Sequence, residues 1–286
     1  MWNIFKIYKY SKSVFEHDGQ ELIADQNGEE RLEEVQALIR ELMFPSNLLV
    51  WKHLTKNKER RNIIWGTGWN DAERVDQEVL PVLKDKEYLQ SLPPNTVGAH
   101  LGHLYNRFDL TELYEKRFLE EEARDGSTYD GATDQMRTNI ARHMFLTHDI
   151  WHCLFRYDTA PFGEGLIQNV TWQQSKNWAT WYVGFVVTCR VAWRAKSWKP
   201  FAIYREAGKI GKEAAKLDLI ANTPTAFLEM DIEEVRKKFN IQEPKLYLEW
   251  IKEHPDTFRG DTFHPNCPYS KGWIDDGDWD TTVRTL

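Results

Sequence analysis

The sequence lacks a surplus of basic residues, and it lacks paired cysteines. Its 37 Lys and Arg residues are outnumbered by 44 Asp and Glu residues, which leaves a formal net charge of −7. A general nucleic-acid-binding protein would instead carry a basic excess. The three cysteines, Cys153, Cys189 and Cys267, are scattered and have neither zinc-finger nor redox spacing. We therefore predict a protein of a reducing compartment that has no disulfide framework and no nucleic-acid partner.

Long hydrophobic runs are also missing. The longest nearly uncharged run, residues 177–189, is shorter than the ~20 residues that a membrane-spanning helix needs. Residues 1–10 contain neither a long apolar stretch nor a small-residue cleavage site, so we expect no secretory signal. Residues 2–16 mix aromatic side chains with lysines, and such a helix can either rest on an anionic membrane or pack on the core. The sequence thus predicts a soluble protein or one that sits on a membrane surface.

The alternating polar and apolar pattern of β-strands is absent, and no repeat of fixed period appears, whereas helical periodicity recurs along the 286 residues. We therefore predict an all-α fold with a single multi-helix domain over residues 1–253. An irregular tail, residues 254–286, should follow it, because this segment is rich in Pro, Gly, Asp and Trp. The predicted helices cover residues 2–16, 29–43, 96–108, 133–155, 164–196, 201–220, 226–239 and 246–253.

One stretch concentrates potential metal ligands. His148 and His152 are four residues apart, which places both imidazoles on one face of a helix. Asp149 adjoins the first histidine, and Glu164 follows a turn at residues 156–163 that contains Pro and Gly. This turn should return the Glu164 carboxylate from the start of the next helix. The cluster lies at the edge of an apolar stripe and is predicted to be buried, where a metal ion would satisfy all four side chains.

Two interpretations of this cluster stay open on the residues alone. Two histidines at this spacing can form a buried structural pair, with Asp149 as an acid that orients or caps. The metal interpretation is favoured by Glu164, which adds a carboxylate from the next helix. In zinc peptidases, the residue after the first histidine is a glutamate that acts as a general base. Here it is the shorter Asp149, which suits ligation or orientation of a histidine better than activation of a water.

A second polar set lies upstream in the predicted helix 96–108. His100, His103 and Arg107 fall on one helical face. They could point into a pocket as further ligands or anion contacts, or they could form a hydrated polar face.

The pattern of potential metal ligands resembles the signature of the coenzyme Q biosynthesis protein 4 family. In this chain the pattern is His148-Asp149-x-x-His152, followed by eleven residues and then Glu164. A second element similar to that family is Leu101-Gly102-x-x-Tyr105-x-Arg107-Phe108. The resemblance covers about residues 30–250. It implies an all-α protein of ubiquinone formation that binds a divalent metal at His148, Asp149, His152 and Glu164. It also implies that a hydrophobic tunnel holds the isoprenoid tail of a polyprenylated quinone precursor.

The resemblance further implies an activity, a location and partners. The implied reaction is oxidative decarboxylation at ring C1 of a polyprenylated hydroxybenzoate precursor, with the same four residues as the catalytic centre. The alternative is a non-catalytic scaffold that binds the isoprenoid precursor for a biosynthetic complex, and a metal-dependent hydrolase is a third hypothesis. Zinc is the metal expected first, and iron, manganese and magnesium are alternatives.

The expected partners are other ubiquinone-biosynthesis proteins and a membrane surface, and a homodimer is one assembly that we expect. The surface would be the cytoplasmic face of the inner membrane in a bacterium, or the matrix face of the mitochondrial inner membrane in a eukaryote.

Overall fold

The structure, a computed structural model, describes residues 8–9, 12, 56, 75–105, 132–214 and 222–254. All the named secondary-structure elements in these ranges are helices, which confirms the predicted all-α fold. A π-helical turn, Val75–Val79, and a 3-10 turn, Pro224–Phe227, accompany the α-helices. The α-helices of the described ranges are α1 (Leu80–Lys84), α2 (Lys86–Ser91), α3 (Val97–Tyr105), α4 (Ala132–Phe155), α5 (Pro161–Ser175), α6 (Trp178–Arg194), α7 (Lys199–Glu213), α8 (Ile232–Lys238) and α9 (Lys245–Glu253).

Several predicted features lie outside the described residues. They include the predicted helix 29–43, most of the predicted helix 2–16 and all but the first residue of the predicted tail 254–286. The division into a domain and a tail therefore stays a prediction. Neither Cys153 nor Cys189 forms a disulfide among the described residues, and Cys267 is not described.

The predicted single helix over residues 164–196 is two helices, α5 and α6. Lys176 ends α5 in the left-handed conformation with φ 60°, and Asn177 then caps α6 by accepting a hydrogen bond from the Ala179 backbone N–H at 2.9 Å. The chain therefore reverses between the two helices, and α6 packs back along α5. Gly184 and Gly165 meet at this contact, where a Cβ on residue 184 would lie 2.5 Å from the Gly165 carbonyl oxygen.

The carboxyl-terminal end of α4 lies in the centre of the core. Trp151 and Phe155 are fully buried there, and so are Tyr247 and Trp250 of α9. Each such side chain contributes roughly 1.5–3 kcal/mol by leaving water. Burial on all sides therefore holds this end of α4 in place, and it is the end that carries His148 and His152.

Arg236 of α8 caps the carboxyl-terminal end of α4. Its Nε donates to the Leu154 carbonyl oxygen at 2.9 Å, and its Nη2 donates to the Cys153 carbonyl oxygen at 2.6 Å. These two carbonyl groups have no partner within the helix, and a cation at this end is also favoured by the helix dipole. Arg156 leaves α4 with φ 61° and pairs with Glu233 at 3.0 Å. α8 thereby fixes the point at which α4 ends.

None of the helices within the described ranges is long and apolar enough to cross a bilayer.

Candidate metal centre

Three side chains from two helices converge at one point. His148 and His152 lie in the last two turns of α4, and Glu164 lies in the first turn of α5. The His148 Nε2 is 3.0 Å from the His152 Nε2 and 2.9 Å from the Glu164 Oε2, and the His152 Nε2 is 3.4 Å from the Glu164 Oε1. Within the described part of the chain, these three residues form the one group whose histidine, cysteine or carboxylate atoms could hold a metal ion, and the atoms lie within 4.8 Å of one another.

The local sequence explains how the two helices meet at this point. Pro161 occupies the first turn of α5, where its missing N–H costs no hydrogen bond. Gly163 allows that turn to approach the preceding loop, since a Cβ at this position would lie 2.0 Å from the Asp158 carbonyl oxygen. Glu164 comes one residue later and so points back at α4. A carboxylate in the first turn is also favoured by the helix dipole.

The electrostatics of the group show a tightly coupled set of charges. Burial alone would lower the pKa of His152, but the carboxylates of Glu164 and Asp149 and the Tyr157 carbonyl outweigh it and raise the pKa to about 9. Burial alone would raise the pKa of Glu164, but His152 and His148 hold this pKa well below its usual range. Without a metal, the two helices are therefore joined by an imidazolium–carboxylate pair. A divalent cation can take the place of the proton in the same field.

The distances between the ligand atoms fit a small divalent cation. A tetrahedral zinc ion bound at about 2.05 Å would separate its ligand atoms by about 3.3 Å, and an octahedral ion bound at about 2.1 Å would separate adjacent ligand atoms by about 3.0 Å. The two imidazole nitrogens are 3.0 Å apart, and the Glu164 oxygens nearest to them are Oε2, 2.9 Å from the His148 Nε2, and Oε1, 3.4 Å from the His152 Nε2. The fit is therefore to a carboxylate that presents both of its oxygens to one ion. Two imidazole nitrogens and one carboxylate suit zinc, iron and manganese. The Glu164 side chain is 39% exposed, so the site is open to the solvent on the side of this ligand.

The other nitrogen of His152 is held by the backbone. Its Nδ1 is 2.9 Å from the Tyr157 carbonyl oxygen, and the imidazole is fully buried. A carbonyl oxygen only accepts, so the Nδ1 must carry the proton and donate. This hydrogen bond directs the Nε2 lone pair of a neutral His152 at the point where the three ligands converge.

Asp149 is adjacent to the group but is engaged by another residue. Its buried carboxylate accepts a hydrogen bond from the Tyr105 hydroxyl at 3.3 Å, and burial raises the pKa of both side chains. The electrostatic effects of His148 and His152 act in the opposite direction and lower the pKa of the Asp149 carboxyl. Asp149 is not in the group of three, and its role as a fourth ligand stays a prediction.

The two histidines of the second predicted polar set are not members of the metal group. His100 is buried in α3 and His103 is half-buried, and neither belongs to the group that could hold a metal among the described residues. Arg107 lies outside the described residues. From α3, the hydroxyl of Tyr105 contacts Asp149, and the histidine pattern did not single out Tyr105 as a site residue.

Comparison with known proteins identifies relatives of the chain. The family model described as Coenzyme Q (ubiquinone) biosynthesis protein Coq4 matches residues 56–245. A crystal structure from Nostoc punctiforme PCC 73102, of a protein assigned provisionally to ubiquinone biosynthesis, is similar in fold. The two chains are 16% identical with a TM-score of 0.52, and the likeness covers 85% of this chain and 100% of that one. No curated protein sequence matches the chain significantly.

Proposed function

The chain belongs to the Coenzyme Q (ubiquinone) biosynthesis protein Coq4 family, and we propose that it uses a divalent metal at His148, His152 and Glu164 for a step of ubiquinone biosynthesis. The observation that carries this proposal is the convergence of three ligand atoms from α4 and α5 within 4.8 Å. All three residues fall inside the matched region, residues 56–245. Asp149, held by Tyr105, is the fourth ligand of the proposal or the acid that orients His148.

The step that we propose is oxidative decarboxylation at ring C1 of a polyprenylated hydroxybenzoate precursor. In this reaction, C1 loses its carboxyl group as carbon dioxide and gains a hydroxyl group whose oxygen comes from water. Dioxygen accepts the two electrons and two protons that are released and leaves as hydrogen peroxide. A bound divalent cation supplies Lewis acidity toward the ring carboxylate or a neighbouring oxygen. Zinc would suffice for polarisation, and iron would suit reaction with dioxygen.

The residues of the chain bind the precursor and hold protons in this proposal. The Tyr157 carbonyl keeps the proton of His152 on Nδ1, so the Nε2 stays available as a ligand. Tyr105 shares its hydroxyl proton with Asp149 in a buried contact, which keeps water away from that side of the site. Apolar residues lie next to the ligands along α4 and α5, and Ile150, Trp151 and Leu166 among them are buried. This environment suits an aromatic ring with an apolar tail.

We also propose that the protein works at an anionic membrane surface, as a substrate with an isoprenoid tail requires. The charge pattern of α5 to α7 supports this proposal. No acidic residue occurs between Glu164 and Glu206, whereas the same segment holds six Lys and Arg residues and five of the 13 Trp residues in a chain of net charge −7. Basic residues among aromatic ones are typical of surfaces that contact anionic lipids.

Exposed aromatic rings lie on the same helices. Trp178 is 48% exposed and Trp198 is 83% exposed. A continuous series of rings joins them, with centroids 5.5–6.3 Å apart at each step. We call this series the aromatic patch, and its members are Trp178, Trp181, Phe185, Phe201 and Trp198. Tryptophan prefers the interface between lipid and water, so the patch fits a bilayer headgroup region.

The experiment that tests the reaction compares the wild-type protein with His152→Ala. Purified wild-type protein, analysed for bound metal, is supplied with the C1-carboxylated prenylated precursor and dioxygen, and the product is identified by mass spectrometry. We expect metal and a decarboxylated, hydroxylated product in the wild-type sample and neither in the variant or after treatment with a chelator. Metal and precursor bound without any product would instead indicate a scaffold. A wild-type protein that takes up no divalent metal would refute the proposal as a whole.

A further inference from the structure

The loop between α4 and α5 orients His152, but it can do so only if other residues hold the loop in place. This loop, residues 156–160, contains the Tyr157 carbonyl that accepts the His152 Nδ1 hydrogen bond at 2.9 Å. A displaced carbonyl would release the imidazole ring or allow the other tautomer. Whatever fixes Tyr157 therefore also fixes the direction of the ligand nitrogen.

One side chain from a distant part of the chain contacts this loop on both sides of the carbonyl. Tyr247 of α9 donates its hydroxyl proton to the Asp158 Oδ1 at 2.7 Å. The ring of Tyr247 packs edge-on against the ring of Tyr157 at a centroid distance of 5.1 Å. Tyr247 is 1% exposed, and Tyr157 and Asp158 are completely buried. Water therefore cannot substitute for the hydroxyl–carboxylate contact.

Asp158 transmits this contact to both helices of the metal centre. Its Oδ1 also accepts a hydrogen bond from the Ala160 backbone N–H at 3.1 Å, and Ala160 is the residue that precedes α5. Its backbone follows Tyr157 directly and lies against Gly163, where a Cβ would be 2.0 Å from the Asp158 carbonyl oxygen. A movement of Asp158 would thus shift the Tyr157 carbonyl on one side and the first turn of α5, with Glu164, on the other.

We propose that Tyr247 and Asp158 are positioning residues of the metal centre, which act on His152 through the Tyr157 carbonyl and on Glu164 through the start of α5. Neither residue is one of the ligands. Asp158 is one of the eleven unspecified residues between His152 and Glu164, and Tyr247 lies outside the motif that names the family. The inference rests on the proposed metal site, and it adds a residue 89 positions away from Asp158 to the set on which that site depends.

The test uses Tyr247→Phe, which removes one hydroxyl group and keeps the ring. Metal-free protein is titrated with Co2+ alone, and the affinity and the visible absorption bands of the bound ion are measured. We expect the affinity to fall about tenfold, the lower end of the range for residues that orient metal ligands. We also expect the visible bands to change, because the geometry of the ligands determines them.

The matched control is Tyr204→Phe. The Tyr204 hydroxyl donates to the Trp181 carbonyl oxygen at 2.9 Å and joins α7 to α6, so this variant also loses one hydroxyl hydrogen bond between helices, away from the 156–160 loop. We expect its Co2+ affinity to stay within about twofold of the wild-type value, because the lost hydrogen bond affects the stability of the fold and not the 156–160 loop. Far-UV circular dichroism and urea unfolding of both variants establish that the titrated proteins are folded.

The outcomes separate this inference from the proposed function. Wild-type affinity and wild-type absorption bands in Tyr247→Phe would overturn the positioning role and leave the metal site intact. An equal loss of affinity in Tyr204→Phe would overturn it too, because the effect would then reflect general packing. A wild-type protein that binds no Co2+ would remove the proposed function itself, and the positioning role with it.

Discussion

The substitution Gly163→Ala tests the contact on which the geometry of the metal centre depends. The new Cβ would lie 2.0 Å from the Asp158 carbonyl oxygen and 2.6 Å from the Asp158 Oδ1, whereas Cβ atoms essentially never come within 3.0 Å of such neighbours. The 156–160 loop and α5 must therefore separate by about 1 Å, the difference between the 2.0 Å contact with the carbonyl oxygen and the 3.0 Å limit. A backbone oxygen cannot rotate out of the way as a side chain can.

The magnitude follows from two opposing effects. Overpacking of this kind costs about 1–3 kcal/mol, and a contact with the backbone belongs at the upper end. Replacement of glycine by alanine within a helix recovers up to about 1 kcal/mol. We therefore expect the free energy of unfolding to fall by about 2 kcal/mol, the difference between these two values. Because residue 163 precedes Glu164, we also expect weaker binding of Co2+.

The assay is urea unfolding followed by tryptophan fluorescence and far-UV circular dichroism, with a Co2+ titration of the folded protein. Gly208→Ala of α7 serves as the control, because its Cβ would lie 2.9 Å from the Asn169 Nδ2, close to the 3.0 Å limit. The Asn169 amide then has to move only slightly and can keep its hydrogen bond to the Tyr204 carbonyl oxygen. We expect this control to change the unfolding free energy by less than about 1 kcal/mol. The reasoning is refuted if Gly163→Ala unfolds at the wild-type urea concentration, or if Gly208→Ala is destabilised as much.

Two further predictions concern a helix cap and the aromatic patch. Asp231 caps α8 by accepting the backbone N–H groups of Glu233 at 2.8 Å and Glu234 at 3.0 Å, so Asp231→Ala should lower the unfolding free energy by about 1 kcal/mol at neutral pH. Burial alone would raise the Asp231 pKa, but these N–H groups and the Asn95 amide hold it below its usual range. The stabilisation by the Asp231 cap is therefore complete above the pKa of about 4 that Asp231 has in the unfolded chain, and it is lost as the pH falls through the lower pKa of the folded protein. If wild type and Asp231→Ala differ in unfolding free energy by the same amount at pH 7 and at pH 2, this prediction is wrong. For the aromatic patch, the double variant Trp178→Ser/Trp198→Ser should bind phosphatidylglycerol vesicles with an affinity lower by about tenfold or more, as measured by co-sedimentation. The reason is that about 60 Å² of ring surface buried in the membrane contributes roughly 1.5 kcal/mol to binding. Leu246→Ser, at a 39% exposed leucine outside the patch, should bind as wild type does, and equal losses in both variants would count against the patch.

The proximity of the three candidate ligands could be predicted from the sequence because each step of the prediction was local. Helical geometry relates His148 to His152 at a spacing of four residues. The turn with Pro161 and Gly163 indicated that Glu164 begins a new helix, and the structure starts α5 at Pro161. The prediction that Asp149 is a ligand went beyond local geometry, since the hydroxyl that engages it belongs to Tyr105, 44 residues away.

Helix boundaries were wrong where a polar residue, not proline or glycine, ends a helix. The run from 164 to 196 holds no proline at its break, and Lys176 adopts a positive φ that the sequence does not indicate. Asn177 was an available signal, since asparagine is a preferred cap. The predicted helix over 226–239 also began too early, because residues 224–227 form a 3-10 turn and Asp231 caps α8. Asp231 with Glu234 three residues later is the stronger start signal.

The contacts that support the ligands could not be predicted, because no period relates their members. Arg236 reaches the Leu154 carbonyl across 82 positions, and Tyr247 reaches Asp158 across 89. An arginine in the last turn of a short amphipathic helix normally indicates a solvated charge. Only the packing of α8 and α9 on the end of α4 shows that Arg236 caps a buried helix.

The eleven residues between His152 and Glu164 do more than connect two ligands. Three residues complete the last turn of α4, five form the 156–160 loop and three open α5. This length returns the Tyr157 carbonyl to the Nδ1 of His152 and the Glu164 carboxylate to its Nε2, at 2.9 and 3.4 Å. Both nitrogens of one imidazole are thus engaged by a single short segment. An inserted or deleted residue would displace both the Tyr157 carbonyl, which sets the tautomer of His152, and the Glu164 carboxylate, which shares the metal. The spacing itself is therefore a structural requirement of the proposed site.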